Sequence, residues 1–132
     1  MVYKKMHDEE LYKENILDHY KHPRGKRAMT DFTLKGEGVN ASCGDEVVIY
    51  LKLVGDRITE TTFTGQGCAI SQAGASMLTE RLKSMTLAGV KMLSPGDIYT
   101  MLGIKVSPGR VDCALLAYGA LNQALLGGKT AK

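Results

Sequence analysis

Tryptophan is absent from this chain and aromatic residues make up only 6% of it. No row of rings is therefore available on which nucleic-acid bases would stack. Charge of one sign is lacking too. Seventeen Lys and Arg stand against fourteen Asp and Glu, a formal net charge of +3, and the cations are scattered rather than banked. That argues against a nucleic-acid partner. No apolar run approaches the roughly 20 residues that span a bilayer, so no membrane association is expected. The stretch from Met1 to Glu10 turns acidic at Asp8-Glu9-Glu10, where a secretory signal needs an apolar segment. A cytoplasmic location is expected, and with it reduced thiols. Cysteine is scarce and odd in number, at three, which argues against a disulfide framework. Metal binding or sulfur chemistry remains.

What is present is an unusual placement of those three thiols. Cys68 follows Gly65-Gln66-Gly67 and precedes a helix-like run from Ala69. It thus lies at a strand-to-helix junction, where free N–H groups and the helix dipole favour an anionic sulfur. Cys43 precedes Gly44-Asp45 at a turn between strands, and Cys113 opens the last helix-like segment. A lone cysteine is most often a small buried hydrophobe. Three of them at element ends point instead to one site assembled from distant parts of the chain.

At 132 residues the chain is expected to form a single domain, residues 1–132. The acidic turn at Asp8-Glu9-Glu10 opens a helix to about Lys21, with Tyr12, Ile16, Leu17 and Tyr20 as its apolar stripe, stopped by His22-Pro23-Arg24-Gly25. His7, His19 and His22 lie in or beside it and read as solvated or capping side chains. Residues 26–35 read as an irregular connection. A strand is expected from about Gly38 to Cys43, a second over Glu46 to Val54 and a third over Ile58 to Thr64, with Gly55-Asp56 as the turn. Helices follow over Ala69 to Lys83, Thr86 to Leu93, Pro95 to Leu102 (capped by Ser94) and Arg110 to Leu126. Gly74 suggests close packing of its helix. In the last helix Cys113, Ala117, Ala120, Leu121 and Ala124 share one stripe, so Cys113 faces the core. The expected class is α+β, a three-stranded antiparallel sheet covered by helices in the order α-β-β-β-α-α-α-α. Gly128-Lys129-Thr130 imitates the end of a phosphate loop, but Gln123 stands where the motif needs its first glycine.

Cys43, Asp45, Cys68 and Cys113 form a Cys3Asp donor set. Zinc takes four such ligands tetrahedrally, and thiolate-rich sites also hold iron–sulfur clusters. Asp is a harder ligand than a fourth Cys and suits a site that opens or releases its contents. The plain alternative for Asp45 is a turn residue bonding its own backbone.

Asn40 to Asp45, Gly65 to Ile70 with Ser71 and Ala75-Ser76, and Arg110 to Leu116 resemble the IscU/SufU/NifU-type iron–sulfur assembly proteins, as does the segment from Leu11-Tyr12 to Pro23-Arg24. The resemblance spans nearly the whole chain. It implies a SufE/NifU-like fold with a metal or [2Fe–2S] site on Cys43, Asp45, Cys68 and Cys113. It also implies sulfur supplied by a PLP-dependent cysteine desulfurase and apo iron–sulfur proteins as recipients. IscU-type members carry His immediately before the third cysteine, where this chain has Asp112. Their Leu-Pro-Pro-Val-Lys chaperone motif is replaced by the loop from Ile104 to Gly109, so a chaperone partner does not carry over. SufU-type members lack that His and have an Arg matched by Arg110, yet carry an insertion between the second and third cysteines. Here those cysteines are 45 positions apart, close to the uninserted length.

Three readings follow. The preferred one is a scaffold that assembles iron and sulfide and hands them on. The second is a zinc-dependent sulfurtransferase, and the third a structural zinc domain for protein contacts. Cys43 and Cys113 are the candidate sulfur acceptors. Arg110, one helical turn before Cys113, is a candidate for steadying a displaced thiolate or Asp45. Asp112 is expected to be a helix-capping residue rather than a ligand.

Overall fold

Strand formers and glycines divide the work of building the sheet. The computed structural model describes residues 14–41, 44–103 and 108–126. Strands β1 (Leu34–Asn40), β2 (Asp45–Val54) and β3 (Arg57–Gln66) form an antiparallel sheet in the order β1-β2-β3. Alternation in β2 sends Val47, Ile49 and Leu51 into the core, and Ile58 and Phe63 of β3 join them. Gly55 turns between these strands at φ +63°.

The first strand is not where its sequence suggests. It starts at Leu34, inside the stretch read as irregular, and ends at Asn40 rather than Cys43. Leu34-Lys35-Gly36-Glu37-Gly38 lacks strand formers because a helix lies directly on it. A Cβ at Gly36 would come within 2.6 Å of Ala124 N, and one at Gly38 within 2.7 Å of Leu116 O. The glycines answer to that helix, not to strand propensity.

The helical layer begins with α1, described over residues 14–21. It continues with α2 (Ala69–Leu82), α3 (Leu87–Lys91), α4 (Pro95–Leu102), α5 (Val111–Ala114) and α6 (Leu116–Leu125). Helix α2 is the central element: every residue from Ser71 to Thr79 is buried, and it packs on β3, α4, α5 and α6. Ser94 caps α4 as expected. Its hydroxyl accepts from Asp97 N–H while the Asp97 carboxylate accepts from Ser94 N–H, and Pro95 takes the first position.

Three expectations need correcting. The last helix is interrupted at Leu115, whose ψ of 5° leaves the helical range. The apolar stripe runs through the break, so periodicity shows one helix. Packing breaks it in two: both pieces touch α2, but α6 also lies along β1 and β2. Gly74 is not a tight contact, because a Cβ there would meet Ala114 O at an ordinary 3.8 Å. On α1 the buried face is Ile16 with His19, while Leu17 and Tyr20 are 48% and 44% exposed. His19 is thus neither solvated nor a cap. The Ser76 hydroxyl accepts from Arg24 N–H at 2.8 Å and lies 2.7 Å from His19 Nδ1, which joins the end of α1 to the middle of α2.

Candidate metal centre

The site gathers where β2 and α2 begin. Asp45 is the first residue of β2 and is 1% exposed. Gly44 before it turns the chain at φ +70°, a conformation that favours glycine. Cys68 occupies the N-cap position of α2 in extended geometry, φ −71° and ψ 163°. That is the junction expected for it. Gly67 beside it has φ +142°, and a Cβ there would lie 2.7 Å from Asp45 Cγ. Only glycine lets the carboxylate settle over this backbone.

In that position Asp45 Oδ1 accepts a hydrogen bond from Cys68 N–H at 2.9 Å, and Oδ2 lies 3.6 Å from Cys68 Sγ. Cys113 arrives from α5 with its side chain buried, and Asn40 Nδ2 at the end of β1 lies 3.9 Å from its sulfur. One carboxylate oxygen and the two sulfurs all fall within 4.8 Å of one another. Adjacent corners of a tetrahedron with bonds of about 2.1–2.3 Å are about 3.4–3.8 Å apart, so the 3.6 Å edge between Asp45 and Cys68 fits a zinc or iron ion. Two thiols and a carboxylate are also a chemically suitable set. Three donors from distant stretches thus meet at one point, while Cys43 lies outside the described residues.

The remaining sequence candidates are placed differently. Arg110 is exposed at the N-cap of α5, and among the described residues it forms no ion pair with Asp45. Asp112 is exposed in the first turn of α5, is not the cap, and stands outside the donor cluster. With Asn40, Ala41, Glu37 and Leu115 it lines an open groove of about 540 Å³ beside β1. Sequence reasoning overlooked one polar side chain next to the site, Gln72, which lies against Ser71. A signal was available: Gln72 is a long polar residue in a first half of α2 otherwise made of small and apolar residues and serines.

A small α+β domain that brings two thiols and a buried carboxylate together at the start of its central helix defines a class of candidate metal- and sulfur-handling proteins. Residues 11–129 match the NifU-like N-terminal domain family, and the chain belongs to that family. It is 33% identical over 132 residues to the zinc-dependent sulfurtransferase SufU of Bacillus subtilis, covering 87% of this chain and 89% of that protein. It is 34% identical over 141 residues to the iron–sulfur cluster assembly scaffold protein IscU of Thermotoga maritima, with coverage of 95% and 96%. The crystal structure of FiSufU from Fervidobacterium islandicum AW-1 superposes with a TM-score of 0.72 at 33% identity, over 85% of this chain and 94% of that one. The expected fold class and family are thereby established. Among the described residues no helix is long and apolar enough to cross a membrane.

Proposed function

We propose that the protein is a scaffold of iron–sulfur cluster assembly. In this reading Cys43, Asp45, Cys68 and Cys113 hold iron or a [2Fe–2S] cluster as cargo, sulfur comes from a PLP-dependent cysteine desulfurase, and apoproteins take the product. The observation that carries it is the convergence of Asp45, Cys68 and Cys113 from three separate elements onto one point. Relatives named as IscU scaffolds support the assignment. The site's own chemistry supports it too. Asn40 offers an N–H to the Cys113 sulfur. The Cys68 N–H holds Asp45 with its second oxygen turned towards the Cys68 sulfur. A carboxylate among thiolates is the weaker ligand for soft metals, which suits cargo that must leave.

Sulfur entry needs an accessible thiolate. An acceptor thiolate of this chain attacks the outer sulfur of the donor persulfide. The donor's S–S bond breaks, the donor cysteine departs as thiolate, and the acceptor becomes the persulfide.

A second reading is a zinc-dependent sulfurtransferase, supported by the similarity to SufU and by Asp112 standing where IscU-type proteins have His. Bound zinc would supply a Lewis acid that keeps the thiols deprotonated. The discriminating experiment is anaerobic reconstitution with iron, cysteine and a desulfurase, followed by transfer to apo-ferredoxin. Visible absorption of a [2Fe–2S] centre and a loaded ferredoxin are the expected outcome. Colourless protein that keeps one zinc, yet takes labelled sulfur from the desulfurase, establishes the second reading instead.

A further inference from the structure

Gln72 is buried in the first turns of α2, 3% exposed, and its amide is aimed at the chain that carries the site. Its Nε2 donates to the backbone carbonyl of Glu46 at 3.3 Å and to Ser71 Oγ at 3.2 Å. Ser71 in turn donates its hydroxyl to the carbonyl of Cys68 at 3.0 Å. The amide orientation follows from these partners. A backbone carbonyl only accepts, and a Ser71 hydroxyl already donating to Cys68 must accept here, so the NH2 end faces both. A hydrogen-bonded path thus runs from the residue after Asp45, through Gln72 and Ser71, to Cys68 itself. It lies beside the direct bond from Cys68 N–H to Asp45.

The other end of the amide differs. Among the described residues Gln72 Oε1 is buried without a hydrogen-bond partner. It faces Gly65, where a Cβ would come within 3.1 Å of it. An orphaned buried acceptor weakens a fold, and an apolar side chain of similar length would avoid that loss. A local rule broken beside a candidate site, with a specific bridge gained, is the pattern of a residue held for the site rather than for folding.

We propose that Gln72 is a positioning residue of the metal centre. By tying the start of β2 to the first turn of α2, it sets the separation of the Asp45 carboxylate from the Cys68 sulfur and so tunes how tightly metal is held. This rests on the reading of Asp45, Cys68 and Cys113 as metal ligands. Outer groups that orient ligands typically change affinity by about 10–100-fold when removed.

The test loads the apoprotein with cobalt(II), whose visible absorption reports thiolate ligation and tetrahedral geometry, and measures affinity by chelator competition. It uses the parent chain, Gln72→Met and Ser71→Ala, together with the thermal midpoint of each apoprotein. The expected result for Gln72→Met is an apo midpoint equal to or above the parent's, about tenfold weaker cobalt binding and an altered visible spectrum. Ser71→Ala, which breaks the path at its other end, is expected to weaken cobalt binding in the same direction, and it carries the test if Gln72→Met does not fold. Cobalt affinity within twofold of the parent's in the folded variants overturns the proposal. So does weaker binding accompanied by a matching fall in the apo midpoint, which marks Gln72 as structural. A parent chain that takes up no cobalt through its thiolates overturns the metal-site reading itself.

Discussion

Two carboxylates stand near the thiols, and burial separates their roles. Asp45 is 1% exposed and accepts from Cys68 N–H, whereas Asp112 is exposed and outside the cluster. Asp45→Ala leaves the Cys68 N–H without its charged acceptor, a loss of about 1.5–3 kcal/mol for such a bond. Urea unfolding of the apoprotein is expected to show that loss, and chelator competition faster metal release. Asp112→Ala is expected to keep full metal stoichiometry; loss of metal from that variant alone would reverse the assignment. A further expectation concerns the sulfur acceptors. Cys113 is buried on α5, which favours holding it in place, whereas Cys43 sits in the sequence before Gly44-Asp45. With zinc bound, the first label from desulfurase-derived sulfur is expected on Cys43, located by alkylation and mass spectrometry. Undiminished labelling in Cys43→Ser would exclude that route. With iron or without metal, Cys113 is expected to compete.

At the scale of elements, the glycines divide into those a helix requires and those it does not. Gly36 and Gly38 let α6 lie against β1, with Ala124 N and Leu116 O in the space their Cβ atoms would fill. Gly36→Ala is expected to lower stability by about 1–3 kcal/mol, the usual scale of overpacking, and more if α6 cannot shift. Gly74→Ala has room, with Ala114 O at 3.8 Å. There the better helix propensity of alanine, about 1 kcal/mol, is expected to raise stability or leave it level. Denaturant midpoints of the two variants should move in opposite directions or differ clearly. The pair also shows where pattern reading failed. Gly74 drew attention as a glycine inside a helix, while Gly36 concealed the first half of a strand expected only from about Gly38.

At the scale of the whole molecule, the N-terminal helix is joined to the core through a titratable contact. His19 is buried against Ser76, with Glu80 Oε1 3.7 Å from its Nε2. Burial pushes its pKa below the ordinary histidine value and the Arg24 charge pushes it the same way, while Glu80 and Asp18 partly oppose them. The folded state therefore favours neutral imidazole, and the unfolded chain binds the extra proton. Stability from this contact is complete above the unfolded pKa of about 6.5 and is lost as pH falls through the lower folded value. The thermal midpoint is expected to drop on acidification below about pH 6.5. His19→Gln is expected to flatten that part of the profile; an unchanged slope would remove His19 from the explanation.

Local sequence determined much of this protein. Alternation in Glu46 to Val54, the Ser94-Pro95 cap and the stripe from Cys113 to Ala124 each depend on neighbours a few residues away, and each reappears in the structure. The thiol junction at Gly67-Cys68 was legible for the same reason. Tertiary structure alone decided what rests on contacts between distant segments. It started β1 at Leu34 because α6 covers it, interrupted the last helix at Leu115, and turned His19 inward onto Ser76. It also brought Asp45, Cys68 and Cys113 within 4.8 Å of one another. No periodicity carries a distance across 68 positions of chain, from Asp45 to Cys113; only the packing of α2 and α5 beside the sheet supplies it.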